Sequence, residues 1–302
     1  MKVLIIGLGS IARKHIDALN HLRQDITYFA LRSQSNAKSE PNVQNIYSLS
    51  EVDTDLDFCI ISNPTHLHFN AINEAIDLNI PLFIEKPSLM SLDGSDQLLQ
   101  KIKDQEILTH VAFNLRFHPV INYLKNQLDS LTPLEVTIYG GSYLPDWRPN
   151  VDYRKVYSSI KKMGGGVHLD LIHEIDYATW LFGFPEITTS VKKKLSQLEI
   201  NSIDYAHYHM HYPDKMVSIS LNYFRRQPKR TIELVTNSEI IYADLFAQKI
   251  WNEKGELLFE SNSTILDTYQ KQMEYFLSLL ATGKPSFSTF ENSLENLKIC
   301  LN

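Results

Sequence analysis

Lys2-Val3-Leu4-Ile5-Ile6-Gly7-Leu8-Gly9-Ser10-Ile11-Ala12 opens the chain and decides its architecture. One charge is followed by four consecutive aliphatics, the pattern of a strand buried on both faces of a parallel sheet. Gly-x-Gly-x-x-Ala then allows a tight turn, and the amphipathic run to Gln24 predicts a helix. Free N–H groups and the dipole at that helix start favour an anion beside Gly7, Gly9, Ser10 and Ile11. The glycine pattern alone is a weak motif. Strand, turn and helix in this order make it a pyrophosphate-binding turn. Ala12, Ile16, Leu19 and Leu22 give the helix its core stripe, and His15 lies near enough to the turn to approach phosphates.

Working outward, residues 26–31 predict a second strand that ends in Arg32-Ser33. An acid at this end would accept a hydrogen bond from the 2′-hydroxyl of NAD ribose, but Asp25 precedes the strand. Arg32 and Ser33 suit a 2′-phosphate instead, which favours NADP over NAD. Residues 57–62 form the third predicted strand, closed by Asn63-Pro64, and the helix after it carries His66, His68, Ile72 and Ile76. Residues 81–84 are a fourth, leading into Glu85-Lys86-Pro87, and 109–113 a fifth, leading into Asn114-x-Arg116-Phe117. Alternation of strands and helices over residues 1–118 predicts a doubly wound parallel sheet. Ligands of such sheets lie at the carboxyl ends of the strands, where Asn63, Lys86 and Asn114 fall. An ammonium held there can hydrogen-bond a substrate hydroxyl and stabilise its alkoxide character as hydride leaves.

Residues 119–302 read as a second domain, with a helix over 119–132 and then a β-rich region from 134. The stretch from Gly140 to Tyr157 is too rich in Gly and Pro for regular structure, yet it carries Trp147, Arg148 and Arg154. Aromatics and arginine suit a sugar ring bearing an anionic group. A helix from about His168 to Phe182 would put Leu171, Ile175, Ala178 and Phe182 on a core stripe. Asp170, His173 and Tyr177 would then share the other face, a carboxylate beside an imidazole suited to general-base work. Gly164-Gly165-Gly166 before it would let the backbone lie close to a ligand.

His207, His209 and His211 alternate on one strand face, with no carboxylate or cysteine placed to complete a metal shell, so no metal is expected. Arg225-Arg226-Gln227-Pro228-Lys229-Arg230 reads as a solvated basic loop, with a phosphate-bearing ligand as the sharper alternative. Long helices are expected over 266–280 and 291–301.

The chain has 302 residues, 43% of them hydrophobic and 21% charged, which accommodates two cored domains. A net charge of −6 argues against bulk binding to nucleic acid or to anionic membrane. Two cysteines suit a reducing cytoplasm, and no apolar run approaches the roughly 20 residues of a membrane span.

Taken together, these motifs resemble the glucose–fructose oxidoreductase / inositol dehydrogenase / rhizopine catabolism (Gfo/Idh/MocA) family. The residues that carry the resemblance are the Gly7 to Ala12 turn with His15, Asn63-Pro64 with His68, Glu85-Lys86-Pro87, and Asn114-x-Arg116-Phe117. Gly164-Gly165-Gly166, Asp170 and His173-Glu174-x-Asp176 complete it. The resemblance implies an N-terminal Rossmann domain, a C-terminal α+β domain with a large, open, mostly antiparallel sheet, and an NAD(P)-dependent reaction on a sugar or sugar derivative. It makes Lys86 the catalytic lysine, with Asp170 and His173 as its partners. Many members place the aspartate four residues before the histidine, whereas here the spacing is three, and His168 occupies a position that is usually apolar.

The cofactor contacts expected are Gly7, Gly9, Ser10, Ile11, Arg32, Ser33, Asn63, Pro64, His68, Glu85, Lys86 and Asn114. The substrate contacts expected are Lys86, Arg116, Trp147, Arg148, Arg154, His168, Asp170, His173 and Tyr177. The expected activity is hydride transfer between nicotinamide and a secondary alcohol, on an acidic or nucleotide-linked sugar in the sharpest version, by a homodimer or homotetramer. The alternative is a dinucleotide-sensing regulator on the same fold that has lost catalysis.

Overall fold

The structure is a computed structural model that describes residues 1–33, 38, 40–52 and 55–302. By compactness the chain divides into one unit of Met1–Asn114 with Ile265–Glu295 and another of Leu115–Thr264 with Asn296–Asn302.

The first unit runs β1 (Lys2–Ile6), α1 (Ser10–Leu22), β2 (Thr27–Leu31), β3 (Val43–Ile46), β4 (Phe58–Ile61), α2 (His68–Ile76), β5 (Leu82–Ile84), α3 (Ser95–Asp104) and β6 (Thr109–Val111). Its six strands pair in the order β3-β2-β1-β4-β5-β6, all of them parallel. The expectation of five strands omitted β3, whose Val-Gln-Asn-Ile sequence has neither an apolar run nor strict alternation. It is an edge strand, added on to β2. All four apolar residues of β1 from Val3 on are buried, as a central strand requires.

The second unit begins with α4 (Pro119–Leu131) and β7 (Glu135–Tyr143), then α5 (Val167–Asp170) and α6 (His173–Phe182). There follow β8 (Ile187–Lys193), β9 (Tyr205–His211), β10 (Met216–Asn222), β11 (Phe224–Val235), β12 (Ile240–Asp244), β13 (Lys249–Asn252) and β14 (Leu257–Glu260). Eight strands order as β14-β13-β12-β11-β7-β10-β9-β8, with β7–β10 parallel and the other pairs antiparallel. Val136 and Ile138 of β7, Val217, Ile219 and Leu221 of β10, and Tyr208 of β9 alternate inward and are fully buried. The chain closes with α7 (Ile265–Thr282) and α8 (Phe290–Leu301).

Other elements also depart from expectation. By compactness Ile265–Glu295, expected in the second domain, group with the first unit. Met273 and Phe276 of α7 are fully buried among Val3, Ile5, Phe58 and Phe83. Phe276 meets Phe58 and Phe83 edge-on, with ring centroids 5.1 and 5.2 Å apart. Burying each such side chain contributes about 1.5–3 kcal/mol, so the sheet captures a helix far from it in sequence.

The helix from His168 is broken at Leu171-Ile172, which divides it into α5 and α6. And the basic stretch at 225–230 is a strand, part of β11. Arg226 lies over the Tyr143 ring at 3.6 Å, and Arg225 and Lys229 lie over Tyr139 at 5.2 and 5.1 Å. Residues 225–228 bulge out of the β7 pairing, which resumes at Lys229, and cation–π contacts tie the charged run to β7. β7 itself continues through Gly140-Gly141 to Tyr143, where irregular structure was expected.

Candidate active site

In the first unit the glycine turn sits where β1 meets α1. Gly7 has φ +95°, and a Cβ there would lie 2.4 Å from the Asn63 backbone. Both left-handed backbone and close approach require glycine. Gly7→Ala is therefore expected to destabilise by about 2 kcal/mol or more. A urea-denaturation midpoint shift of that size checks it.

Around a Cβ placed at Gly9 there is nothing within 4 Å, so the space above the α1 N-terminus is open. No side chain caps that helix start. Its first N–H groups face this space, and Asn63 Oδ1 is buried with no hydrogen-bond partner among the described residues. A cradle of uncapped backbone donors fits a dinucleotide pyrophosphate, and the orphaned Asn63 acceptor at its rim suits a ribose hydroxyl.

Glu85 organises the strand end next to it. Its Oε1 lies 2.6 Å from His15 Nε2, and its Oε2 accepts from the Lys86 backbone N–H at 3.1 Å. His15 is fully buried and engaged by Glu85, so it joins α1 to the end of β5 instead of facing phosphates. Lys86 is half-buried and precedes a cis bond to Pro87.

Two cofactor contacts expected from sequence are internal braces. His68 is 1% exposed, with Nε2 2.8 Å from Asn63 O and Nδ1 3.0 Å from Pro87 O. It links the two turns at the ends of β4 and β5. Burial pushes its pKa down, against the carbonyls that hold it. Asn114 is buried and donates its amide to Thr268 Oγ1 at 2.8 Å. Arg32 is half-buried at the end of β2, with Nη1 3.5 Å from Asn45 Oδ1, while Ser33 and Pro64 are exposed.

In the second unit Asp170 and His173 are 4% and 8% exposed. Tyr223 donates its hydroxyl to Asp170 Oδ2. Trp147 meets the Tyr223 ring edge-on at 5.3 Å and donates Nε1–H to Ser142 Oγ at 2.7 Å. Arg148 lies over the Tyr157 ring at 5.7 Å. The aromatic segment at 144–160 thus folds against the Asp170 side of the unit.

Gly165 makes this possible, because a Cβ there would stand 2.2 Å from the Tyr157 carbonyl oxygen. The close approach that the triple glycine predicts is real, but it is to the chain's own backbone.

His168 is 7% exposed, with Nδ1 buried and unpartnered among the described residues. Burial first, and then the charges of Lys192 and Lys161, lower its pKa to about 4. The unfolded chain takes up a proton near pH 6.5 that the folded ring refuses until about pH 4. Stability is therefore expected to be intact above pH 6.5 and to fall by about 3 kcal/mol as pH drops through this window. His168→Gln should flatten the profile when denaturation midpoints are compared across it.

Two expected substrate contacts are buried within the unit. Arg116 is 4% exposed, and its Nε and Nη2 donate to Asp176 Oδ2 and Oδ1 at 2.9 and 2.6 Å, which occupies the guanidinium internally. Tyr177 is fully buried on α6, where every residue from His173 to Thr179 is buried, so no face of this stretch is open in the way expected. Arg154 is exposed and paired with Asp152 and Glu199.

Sequence reasoning missed Tyr223, and it missed the pairing of the buried Glu174 with the partly buried Arg230 at 2.7 Å. The partners lie 53 and 56 residues apart, beyond any spacing rule. Among the described residues, no three His, Cys, Asp or Glu side chains are grouped to hold a metal. No described helix is long and apolar enough to cross a membrane.

A six-stranded parallel sheet in this order, with a glycine turn after β1, defines the doubly wound dinucleotide-binding class. The chain belongs to the Gfo/Idh/MocA oxidoreductase family. Residues 1–113 match its NAD-binding Rossmann fold, and residues 135–233 match its C-terminal alpha/beta domain.

Similar curated proteins include glucose-6-phosphate 3-dehydrogenase of Bacillus subtilis, 26% identical over 65% of this chain and 57% of that protein. Myo-inositol 2-dehydrogenase of Thermotoga maritima is 25% identical over 61% and 55%. The chain thus spans about half the length of the curated relatives it matches. Among solved structures, UDP-N-acetylglucosamine 3-dehydrogenase of Acidithiobacillus ferrooxidans superposes with a TM-score of 0.81 at 19% identity, covering 100% of this chain and 95% of that one. An Agrobacterium radiobacter oxidoreductase in complex with NAD+, L-tartaric acid and magnesium also gives 0.81, at 16% identity, covering 100% and 94%. These two likenesses concern the fold.

Proposed function

We propose that the protein is an NAD(P)-dependent dehydrogenase or reductase acting on a secondary alcohol of a sugar or sugar derivative. The observation that carries this is Lys86, presented at the end of β5 on the same sheet as the glycine turn, with Glu85 and His15 bracing strand end to helix. Gly7, Gly9, Ser10, Ile11 and Asn63 would hold the dinucleotide. Bound there, it supplies the hydride acceptor or donor. Lys86 donates a hydrogen bond to the substrate oxygen and stabilises its alkoxide character, while His173 takes the hydroxyl proton with Asp170 as its carboxylate.

Arg148 beside Tyr157, and Lys161 near His168, support a substrate carrying an anionic group, a sugar phosphate or nucleotide-linked sugar. The test is nicotinamide absorbance with glucose 6-phosphate, UDP-N-acetylglucosamine, glucose, myo-inositol and scyllo-inositol. Turnover of the anionic sugars is expected, and reaction of only the neutral ones would refute the anionic assignment.

Arg32 supports NADP(H), and Arg32→Ala is expected to weaken NADPH binding about tenfold, worth about 1.4 kcal/mol, with NADH binding changed less than twofold. Fluorescence titration of both nucleotides decides it. Ile187, His211 and Met216 stand in one row across β8, β9 and β10, with Ile187 and Met216 60% and 39% exposed, which supports self-association through this face. Sedimentation velocity would show a dimer or tetramer. Both cysteines are free and buried, in keeping with a reducing, cytoplasmic setting.

A further inference from the structure

Two phenols hold Asp170. Tyr223 is fully buried between β10 and β11, and its hydroxyl donates to Asp170 Oδ2. Tyr157, from the short turn at 157–159, hydrogen-bonds the same carboxylate. The buried Ser158 side chain lies beside both phenols. The backbone fixes the two rings: Tyr223 N–H donates to Asp204 O at 3.0 Å, and the Tyr223 carbonyl accepts from Leu144 N–H at 2.9 Å. Gly165 abuts the Tyr157 carbonyl. Packing alone does not need two hydroxyls here, because phenylalanine would fill the same volume.

A carboxylate has about four lone-pair sites, so two phenol donors set its plane and leave acceptor capacity for an imidazole. We propose that Tyr157 and Tyr223 are positioning residues that clamp the Asp170 carboxylate in its working orientation, coupling the aromatic segment at 144–160 to turnover. This rests on the reading of Asp170 as the catalytic carboxylate. Both phenols stay in the donating form: the Asp170 charge first and burial second push the Tyr157 pKa well up, and burial first and Asp170 second do so for Tyr223.

The test is a double-mutant cycle on the full-length protein, using whichever sugar of the panel turns over fastest. Tyr223→Phe and Tyr157→Phe are each expected to lower kcat about tenfold or more, since a hydrogen bond to a charged group is being removed. KM and nucleotide affinity should change less than twofold. In an Asp170→Asn background the same replacements should cost less than twofold further, because they act through the group already removed. Losses that multiply independently in that background, or unchanged kcat in both single variants, would overturn the clamp. Should Tyr223→Phe fail to fold, the Tyr157→Phe cycle decides alone.

A second measurement needs no substrate. Tyrosinate absorbance during alkaline titration should show one phenol ionising at lower pH in Asp170→Asn than in the native chain. That phenol should vanish from the difference in Asp170→Asn/Tyr157→Phe. Identical titrations would overturn the clamp. If Asp170→Asn retains full turnover while this shift is seen, the catalytic reading of Asp170 fails, and with it the coupling to turnover, while the hydrogen bonds stand.

Discussion

Arg116→Met is expected to destabilise the protein by about 3–5 kcal/mol, because it strands a carboxylate in the interior. Asp176 is 1% exposed, and burial pushes its pKa up against the opposing pull of Arg116 and Asn296. Arg116 supplies the two-point hydrogen bond, and Asn296 Nδ2 donates to Asp176 Oδ1 at 2.8 Å. With the guanidinium gone, one amide faces the whole charge. Lowering the pH should recover part of the loss, since protonating Asp176 removes the charge. Arg116→Met/Asp176→Leu should recover more, because apolar replacements of a buried pair are often neutral or stabilising. Urea midpoints with unchanged slope would measure both. A loss below about 1 kcal/mol would mean the pair is solvated, since exposed ion pairs are worth no more than that.

Lys86→Met should leave the fold intact and abolish most turnover. The side chain is half-buried at a strand end, so a melting temperature within a few degrees of native is expected. Loss of a positioned hydrogen-bond donor and its charge should lower kcat by about 10³-fold, the range of general acid–base and oxyanion-type contributions. Nucleotide binding, which uses the glycine turn, should change less than threefold by fluorescence titration. This pair of readouts also separates the enzyme from the dinucleotide-sensing regulator. A regulator would bind nucleotide and oxidise no sugar of the panel, with or without Lys86.

The Asp170 neighbourhood shows where reading along the chain stops. The 100° step of an unbroken helix put Asp170, His173 and Tyr177 on one face, yet the turn at Leu171-Ile172 divides α5 from α6, and Tyr177 is fully buried. Arg116 looked available for substrate because its partner, Asp176, is 60 residues away. The basic run at 225–230 is largely exposed, as expected, but it is part of a strand and not a loop, because Tyr139 and Tyr143, over which it lies, belong to another strand.

The four aliphatics of β1, its glycine turn and the β-strand tips at Asn63 and Lys86 were legible from residue order alone. Their determinants are local: side-chain periodicity, a left-handed glycine, and the rule that parallel sheets present their carboxyl ends together. The capture of α7 by the first unit, the pairing of Arg116 with Asp176 and the grip of Tyr223 on Asp170 were decided only in three dimensions. Burial and hydrogen-bond satisfaction act between atoms that meet in space, and one sequence carries no record of which distant side chains will meet.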